Sequence, residues 1–145
     1  MRRLPLLFLL AACGGGGSPI PEVDLLVRIA VPSDEVDLGR AFPLEVVRVW
    51  RSDLAPAPWD DRALAPLAVR RLQAVRRDDG VRTEEVVSYR AWAFALDDVS
   101  VPAPRVVATP AGGGPERTAK GDPLRLKVRR SLDPDAPGEP EPPGP

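Results

Sequence analysis

Adjacent carboxylate pairs such as Asp60-Asp61, Asp78-Asp79, Glu84-Glu85 and Asp97-Asp98 are the residues of this chain best suited to acid–base chemistry or to holding a hard cation. Their spacing argues against both uses. Neighbours on a strand point to opposite faces, so an adjacent pair is not a ready-made acid/base couple. Asp78-Asp79 and Asp97-Asp98 have the composition of turns, where the side chains bond nearby backbone amides. Carboxylate oxygens between loops suit a weak Ca²⁺ site, yet the spacing matches no calcium loop. The chain has no histidine and a single cysteine, Cys13. That removes the commonest general base and the commonest transition-metal ligands, and it excludes Ser-His-Asp and Cys-His nucleophilic sites. Gly112-Gly113-Gly114 is followed by Pro115-Glu116 rather than by Lys-Ser or a helix start, so no phosphate cradle is expected. The expectation is a protein without catalysis, metal or cofactor. An enzyme is the remote alternative and would need a concave site holding two carboxylates.

Binding chemistry is better represented. The segment from Trp50 to Asp61, WRSDLAPAPWDD, places two tryptophans, an arginine and two prolines together. Tryptophan and arginine are enriched at interface hot spots, so Trp50, Arg51 and Trp59 form the candidate interaction surface. The competing expectation is that Trp59 folds back over one end of the core while the prolines stiffen the crossing. Two arginine-rich stretches (Arg70, Arg71, Arg76 and Arg77; Arg125, Arg129 and Arg130) have the charge to contact anionic lipid headgroups. The alternative is that they form solvated faces, pairing with Glu84 and Glu85 across a hairpin.

Cys13 ends a different kind of segment. Arg2 and Arg3 form a positive start, and Leu4 to Ala12 an apolar run. Nine residues are too few for a membrane-spanning helix, which needs about 20, but suffice for a cleaved secretory signal. Leu10-Ala11-Ala12-Cys13 followed by a glycine run resembles the lipobox of bacterial lipoproteins. That resemblance implies a signal peptide over residues 1–12 and a Cys13 that carries a diacylglyceryl thioether and an N-acyl chain. More than one acyl chain makes anchoring effectively permanent. Gly14, in place of Asp, resembles the outer-membrane sorting pattern, which implies the periplasmic face of the outer membrane in a Gram-negative host. A lone cysteine also leaves no partner for an intrachain disulfide.

Residues 13–22 are expected to form a short flexible linker, with an end-to-end distance of about 15 Å over Gly14–Pro21. The folded part would then stay close to the membrane. Residues 23–130 are long enough for one domain with a modest core. Residues 131–145, SLDPDAPGEPEPPGP, are acidic, Pro-rich and nearly free of apolar side chains, a composition expected to be disordered. Removing Arg2 and Arg3 from 20 basic and 21 acidic residues leaves a net charge of about −3, which disfavours nucleic acid.

Within the domain the apolar period is mostly two. Leu25, Val27, Ile29 and Val31 alternate with Asp24, Arg28 and Ala30, a half-buried strand stopped by Pro32. Phe42 to Arg51 shifts phase around Val46-Val47, which predicts either a β-bulge or a strand buried on both faces. Leu64, Leu67, Ala68, Leu72 and Val75 fall at helical spacing, with Asp60 or Asp61 as a cap. Asp79-Gly80 argues the other way, because a two-residue hairpin signal needs a strand on each side. Leu67–Arg77 is therefore expected to be a strand, with Val81–Leu96 as its partner. Val99–Val101, Val106–Thr109 and the alternating Leu124, Leu126 and Val128 complete the series. About seven short strands in this length predict an all-β, antiparallel, immunoglobulin-like sandwich, with Trp50 or Trp92 as its core pin.

Three segments carry a further resemblance. Val99-Ser100-Val101-Pro102-Ala103-Pro104, Asp122-Pro123-Leu124-Arg125-Leu126-Lys127-Val128 and Leu38-Gly39-Arg40-Ala41-Phe42-Pro43-Leu44 resemble strand corners of the β-sandwich repeats in BatD-like bacterial envelope proteins. BatD-like proteins carry several repeats and a transmembrane helix, whereas this chain has one domain and a lipobox-like cysteine. The resemblance implies the sandwich fold and an envelope setting, and it supplies no catalytic residues. Taken together, the expectation is a lipid-anchored envelope protein acting as a non-catalytic binding or scaffold module for membrane-associated proteins. The alternative is a cell-wall or carbohydrate-binding module.

Overall fold

The computed structural model describes residues 18–130. Cys13 and the acidic segment 131–145 lie outside the described residues. The described residues form ten strands and one short 3-10 turn: β1 Leu25–Ala30, β2 Glu35–Asp37, β3 Phe42–Arg51, β4 Leu54–Pro56, the turn Asp61–Leu64, β5 Ala68–Asp78, β6 Arg82–Trp92, β7 Val99–Val101, β8 Arg105–Pro110, β9 Arg117–Lys120 and β10 Leu124–Arg129.

One layer is a four-stranded antiparallel sheet in the order β1-β3-β6-β5. The other is built from β4-β8-β9 and from β2-β10-β7. These two groups are halves of one layer, because β7 and β8 are a single strand broken at Pro102-Ala103-Pro104, and β9 and β10 are a single strand broken at Gly121-Asp122-Pro123. Prolines cannot donate to a ladder, so each break falls where a proline stands. The Gly121 amide donates to the Pro104 carbonyl at 2.8 Å and holds the two breaks side by side. Counted this way there are seven strand positions plus β2, in the four-plus-three arrangement of an immunoglobulin-type sandwich. β2 departs from the antiparallel rule and runs parallel to β10.

Inward-facing residues of both layers meet in one core: Val27, Phe42, Leu44, Val46, Val87, Tyr89 and Ala91 from the first, Val99, Val101, Val106 and Leu126 from the second. Alternation along the strands places them there. The segment Leu67–Arg77 is a strand, as the Asp79-Gly80 turn requires. Asp79 Oδ1 accepts the amides of Val81 and Arg82, and Gly80 takes a positive φ of 91° that few other residues tolerate. The helical spacing of Leu64, Leu67 and Leu72 has another origin. Leu64 and Leu67 are buried in the approach to β5, whereas Leu72 is exposed at a bulge between Arg71 and Gln73. Asp60 does act as a cap, of the 3-10 turn, by accepting the Arg62 amide at 2.9 Å.

The phase shift at Val46-Val47 is not a bulge, because β3 pairs without interruption to both neighbours. It marks burial on both faces. Ile20, ahead of β1, packs on Val47 and Val49 from outside the sandwich, and Arg77 and Arg82 donate to the carbonyls of Ser18 and Val23. Residues 18–23 thus form a strap across the outer face of the four-stranded sheet, although composition alone had placed residues up to 22 in the linker.

Trp50 and Trp92 are both buried, but neither belongs to the main core; Trp50 packs with Leu25, Leu54 and Ala108 in a satellite cluster. The aromatic side chains in the core between the layers are Phe42 and Tyr89.

Candidate functional site

The segment between β4 and β5 closes the sandwich on the side where the two layers end in β4 and β5. Two polar clusters hold it there, and both are built on inward-facing positions of the four-stranded sheet.

The first cluster centres on Glu85. Arg48 lies directly across from it on β3 and Arg76 directly across on β5. Arg48 donates to Glu85 Oε1 through Nη2 at 2.6 Å and Nε at 3.0 Å, while Arg76 Nε donates to Oε2 at 3.1 Å. A third Arg48 nitrogen, Nη1, donates to the Ala57 carbonyl at 2.7 Å and ties down the loop. Burial pushes the Glu85 carboxyl up, and the two guanidinium groups outweigh it, so the acid ends below its ordinary range. Both guanidinium carbons also stand over the Trp50 ring, at 5.3 and 5.4 Å from its centroid, within cation–π range.

The second cluster centres on the Tyr89 hydroxyl. Trp59 Nε1 donates to it at 2.7 Å, and it donates in turn to Asp61 Oδ1 at 2.6 Å. Arg71 completes the chain with a 2.7 Å bond to the same oxygen. Burial and the adjacent carboxylate push the Tyr89 hydroxyl far above its ordinary value. Burial raises the Asp61 carboxyl, and the bonds from Arg71 and Tyr89 more than offset it, leaving a net lowering.

The three residues of the candidate surface are therefore separated. Trp50 is only 6% exposed. Trp59 is half-buried against the core, with its indole N–H spent on Tyr89. Arg51 is exposed on the opposite face of β3 and pairs with Asp24 and Asp53. Of the arginine-rich stretches, Arg76 and Arg77 pair with Glu85 and Glu84 across the hairpin, and Arg129 pairs with Glu35 and Asp37.

The carboxylate pairs behave as alternation dictates. Glu84 and Glu85 point to opposite faces, and Asp78 and Asp79 cap the hairpin turn. No group of three or more potential metal ligands occurs among the described residues. Composition did not single out Arg48 or Tyr89. A signal for Arg48 was present: it takes the inward position in the series Phe42, Leu44, Val46, Arg48, Trp50, where every other member is apolar.

Arg48, Glu85, Trp59 and Tyr89 spend polar groups on other side chains or on the loop backbone, while Asp61, Arg71 and Arg76 keep part of their side chains at the surface. The arrangement ties the loop to the four-stranded sheet. Compared with known proteins, the chain matches no family model and no curated relative.

Proposed function

We propose that this chain is a lipid-anchored, non-catalytic module of the bacterial cell envelope that binds or scaffolds membrane-associated proteins. The observation that carries the proposal is the position of the strap. Ser18 is tied to the outer face of the four-stranded sheet through Arg77, and Cys13 precedes it by only five residues. Five residues reach at most about 18 Å, so an acylated Cys13 would hold that face against a bilayer and turn the other layer outward. A sandwich whose closing loop is tied down through Arg48 and Tyr89 suits presentation of a surface rather than turnover of a substrate. No helix among the described residues is long and apolar enough to cross a membrane, so attachment in this reading depends on the cysteine.

Two measurements test the proposal. Growth with an alkyne fatty acid should label the wild-type chain and leave Cys13→Ser, expressed behind a cleavable signal, unlabelled. In-cell crosslinking should then recover a specific membrane protein with the wild type, and lose it when the anchor is removed. Retention on cell-wall material regardless of the anchor would instead favour a wall-binding module. Absence of label on the wild type would overturn the envelope reading.

A further inference from the structure

All five of the large apolar side chains that stand exposed among the described residues, Leu72, Val75, Val81, Phe94 and Leu96, lie on the β5–β6 hairpin or directly after it. β5 is also an edge strand, paired with β6 on one side and with no strand on the other. Its positions from Arg70 to Arg76 are exposed without interruption. The opposite edge of the same sheet is covered: Gly121 sits against the Val27 carbonyl of β1, and Arg117 pairs with Asp24 beside it. The register fixes which groups β5 leaves open. The Asp79 amide donates to the Arg82 carbonyl at 3.1 Å, which makes these two a hydrogen-bonded pair. Such pairs recur at every second residue of an antiparallel ladder, so Arg77 and Val75 bond to β6. Ala74, Arg76 and Asp78 turn their N–H and C=O groups away from it, and among the described residues no other strand takes them.

An unpaired edge is a template for another strand, and natural sheets blunt it with prolines or uncompensated charge. β5 has no proline, and three of its four arginines are already neutralised, Arg71 by Asp61, Arg76 by Glu85 and Arg77 by Glu84. We propose that a second copy of this chain adds to this edge, β5 against β5 and antiparallel, about a two-fold axis at Val75. Each Ala74 then opposes Arg76 of the other copy, and the two exchange their open N–H and C=O groups. The two Val75 side chains meet in a non-hydrogen-bonded pair, where side chains come closest. They extend the outer-face row Val47, Val86, Val75 into the other copy. Arg70 and Arg71 fall beside Asp78 and Asp79 of the other copy, which supplies the acid that Arg70 lacks where it faces Arg90. An axis at Arg76 would instead oppose two arginines, which destabilises a pair. Charge alone would admit a foreign acidic strand, but the hairpin carries its own acids at the spacing that self-pairing needs. The axis stands perpendicular to the sheet and keeps both outer faces, each with its strap, on one side. In the reading proposed above both copies would face one bilayer, although the pairing itself does not require the anchor.

Cysteine chemistry tests this on full-length Cys13→Ser protein, which has no other thiol. Opposed Cα atoms of a non-hydrogen-bonded pair stand about 4.5 Å apart, within disulfide reach. Val75→Cys should therefore form a disulfide-linked dimer under mild oxidant several-fold faster than Val81→Cys, a similarly exposed site at the turn. In the Val75→Cys background, Ala74→Pro removes an amide that β6 does not use, and Arg70→Asp sets an acid against Asp78 and Asp79. Each should slow linking several-fold, with thermal unfolding close to that of the parent. Equal rates at the two cysteines, or a rate that either change leaves unaltered, would overturn the proposal. So would a photo-crosslinker at position 75 that captures, in cells, a different polypeptide and no second copy, because the edge would then belong to a foreign strand. The purified protein carries no acyl group, so these outcomes are independent of the fatty-acid labelling that tests the anchor.

Discussion

Arg48 and Glu85 face each other inside the sandwich, one on β3 and one on β6, with Nη2 2.6 Å from Oε1 and both side chains under 10% exposed. A full charge pair in that position persists only because Arg76 and the Ala57 carbonyl take up the remaining valences. The pair joins the sheet to the loop that closes it.

Glu85→Gln should therefore cost about 3–5 kcal/mol, since it strands a buried guanidinium. Replacing both partners, as in Arg48→Met with Glu85→Leu, should cost far less than the sum of the single changes. Urea unfolding followed by tryptophan fluorescence measures all three. Additive losses would mean that the two residues act independently.

Tyr89→Phe removes one hydroxyl and leaves both Trp59 Nε1 and Asp61 short of a partner. The expected loss is about 1–3 kcal/mol, with red-shifted tryptophan emission as the Trp59 indole turns to water. Unchanged emission would mean that packing against the core holds Trp59 in place without the bond.

Stability should fall at both ends of the pH scale. The carboxyls of Asp61 and Glu85 are lowered in the folded protein, so the unfolded chain binds more protons. Their contribution is complete above the ordinary values of 3.8 and 4.5 and is lost as pH falls through the lower folded ones. Tyr89 is raised, so its contribution is complete below the ordinary value of 10.0 and fades as pH rises beyond it. Midpoints of urea unfolding between pH 2 and pH 11 test this. Glu85→Gln should flatten the acid limb, and Tyr89→Phe the alkaline one.

Gly121 closes the seam between the layers. A methyl group there would meet the Val27 carbonyl oxygen at 2.4 Å and Pro104 at 2.9 Å. Gly121→Ala should cost about 1–3 kcal/mol by overpacking, whereas Gly112→Ala, with nothing within 4 Å, should change little. Equal effects in thermal unfolding would refute the close approach of β1 to this corner.

Ile20→Ala should cost about 2 kcal/mol by uncovering Val47 and Val49. It should also make the strap more accessible to protease than it is in the wild type. A neutral result would show that the strap contributes nothing to the fold.

The sequence by itself determined the class of fold and most of its strands. Val27, Leu44, Val87 and Leu126 sit in two-residue alternations, and Asp79-Gly80 is a local turn signal; both depend on neighbours within a few positions. The strands it did not reveal, β2, β4 and β9, are three or four residues long, too short for a period to register. Tertiary structure alone decided the rest. Arg48 meets Glu85 across 37 positions and Trp59 meets Tyr89 across 30. Ile20 is buried only because β3 and β6 come to lie beneath it. Whether a tryptophan is a surface or a plug depends on what the chain brings over it, and spacing along the sequence carries no record of that. Trp50 is covered by Arg48 from its own strand and Arg76 from two strands away, a contact that exists only once β3, β6 and β5 are side by side.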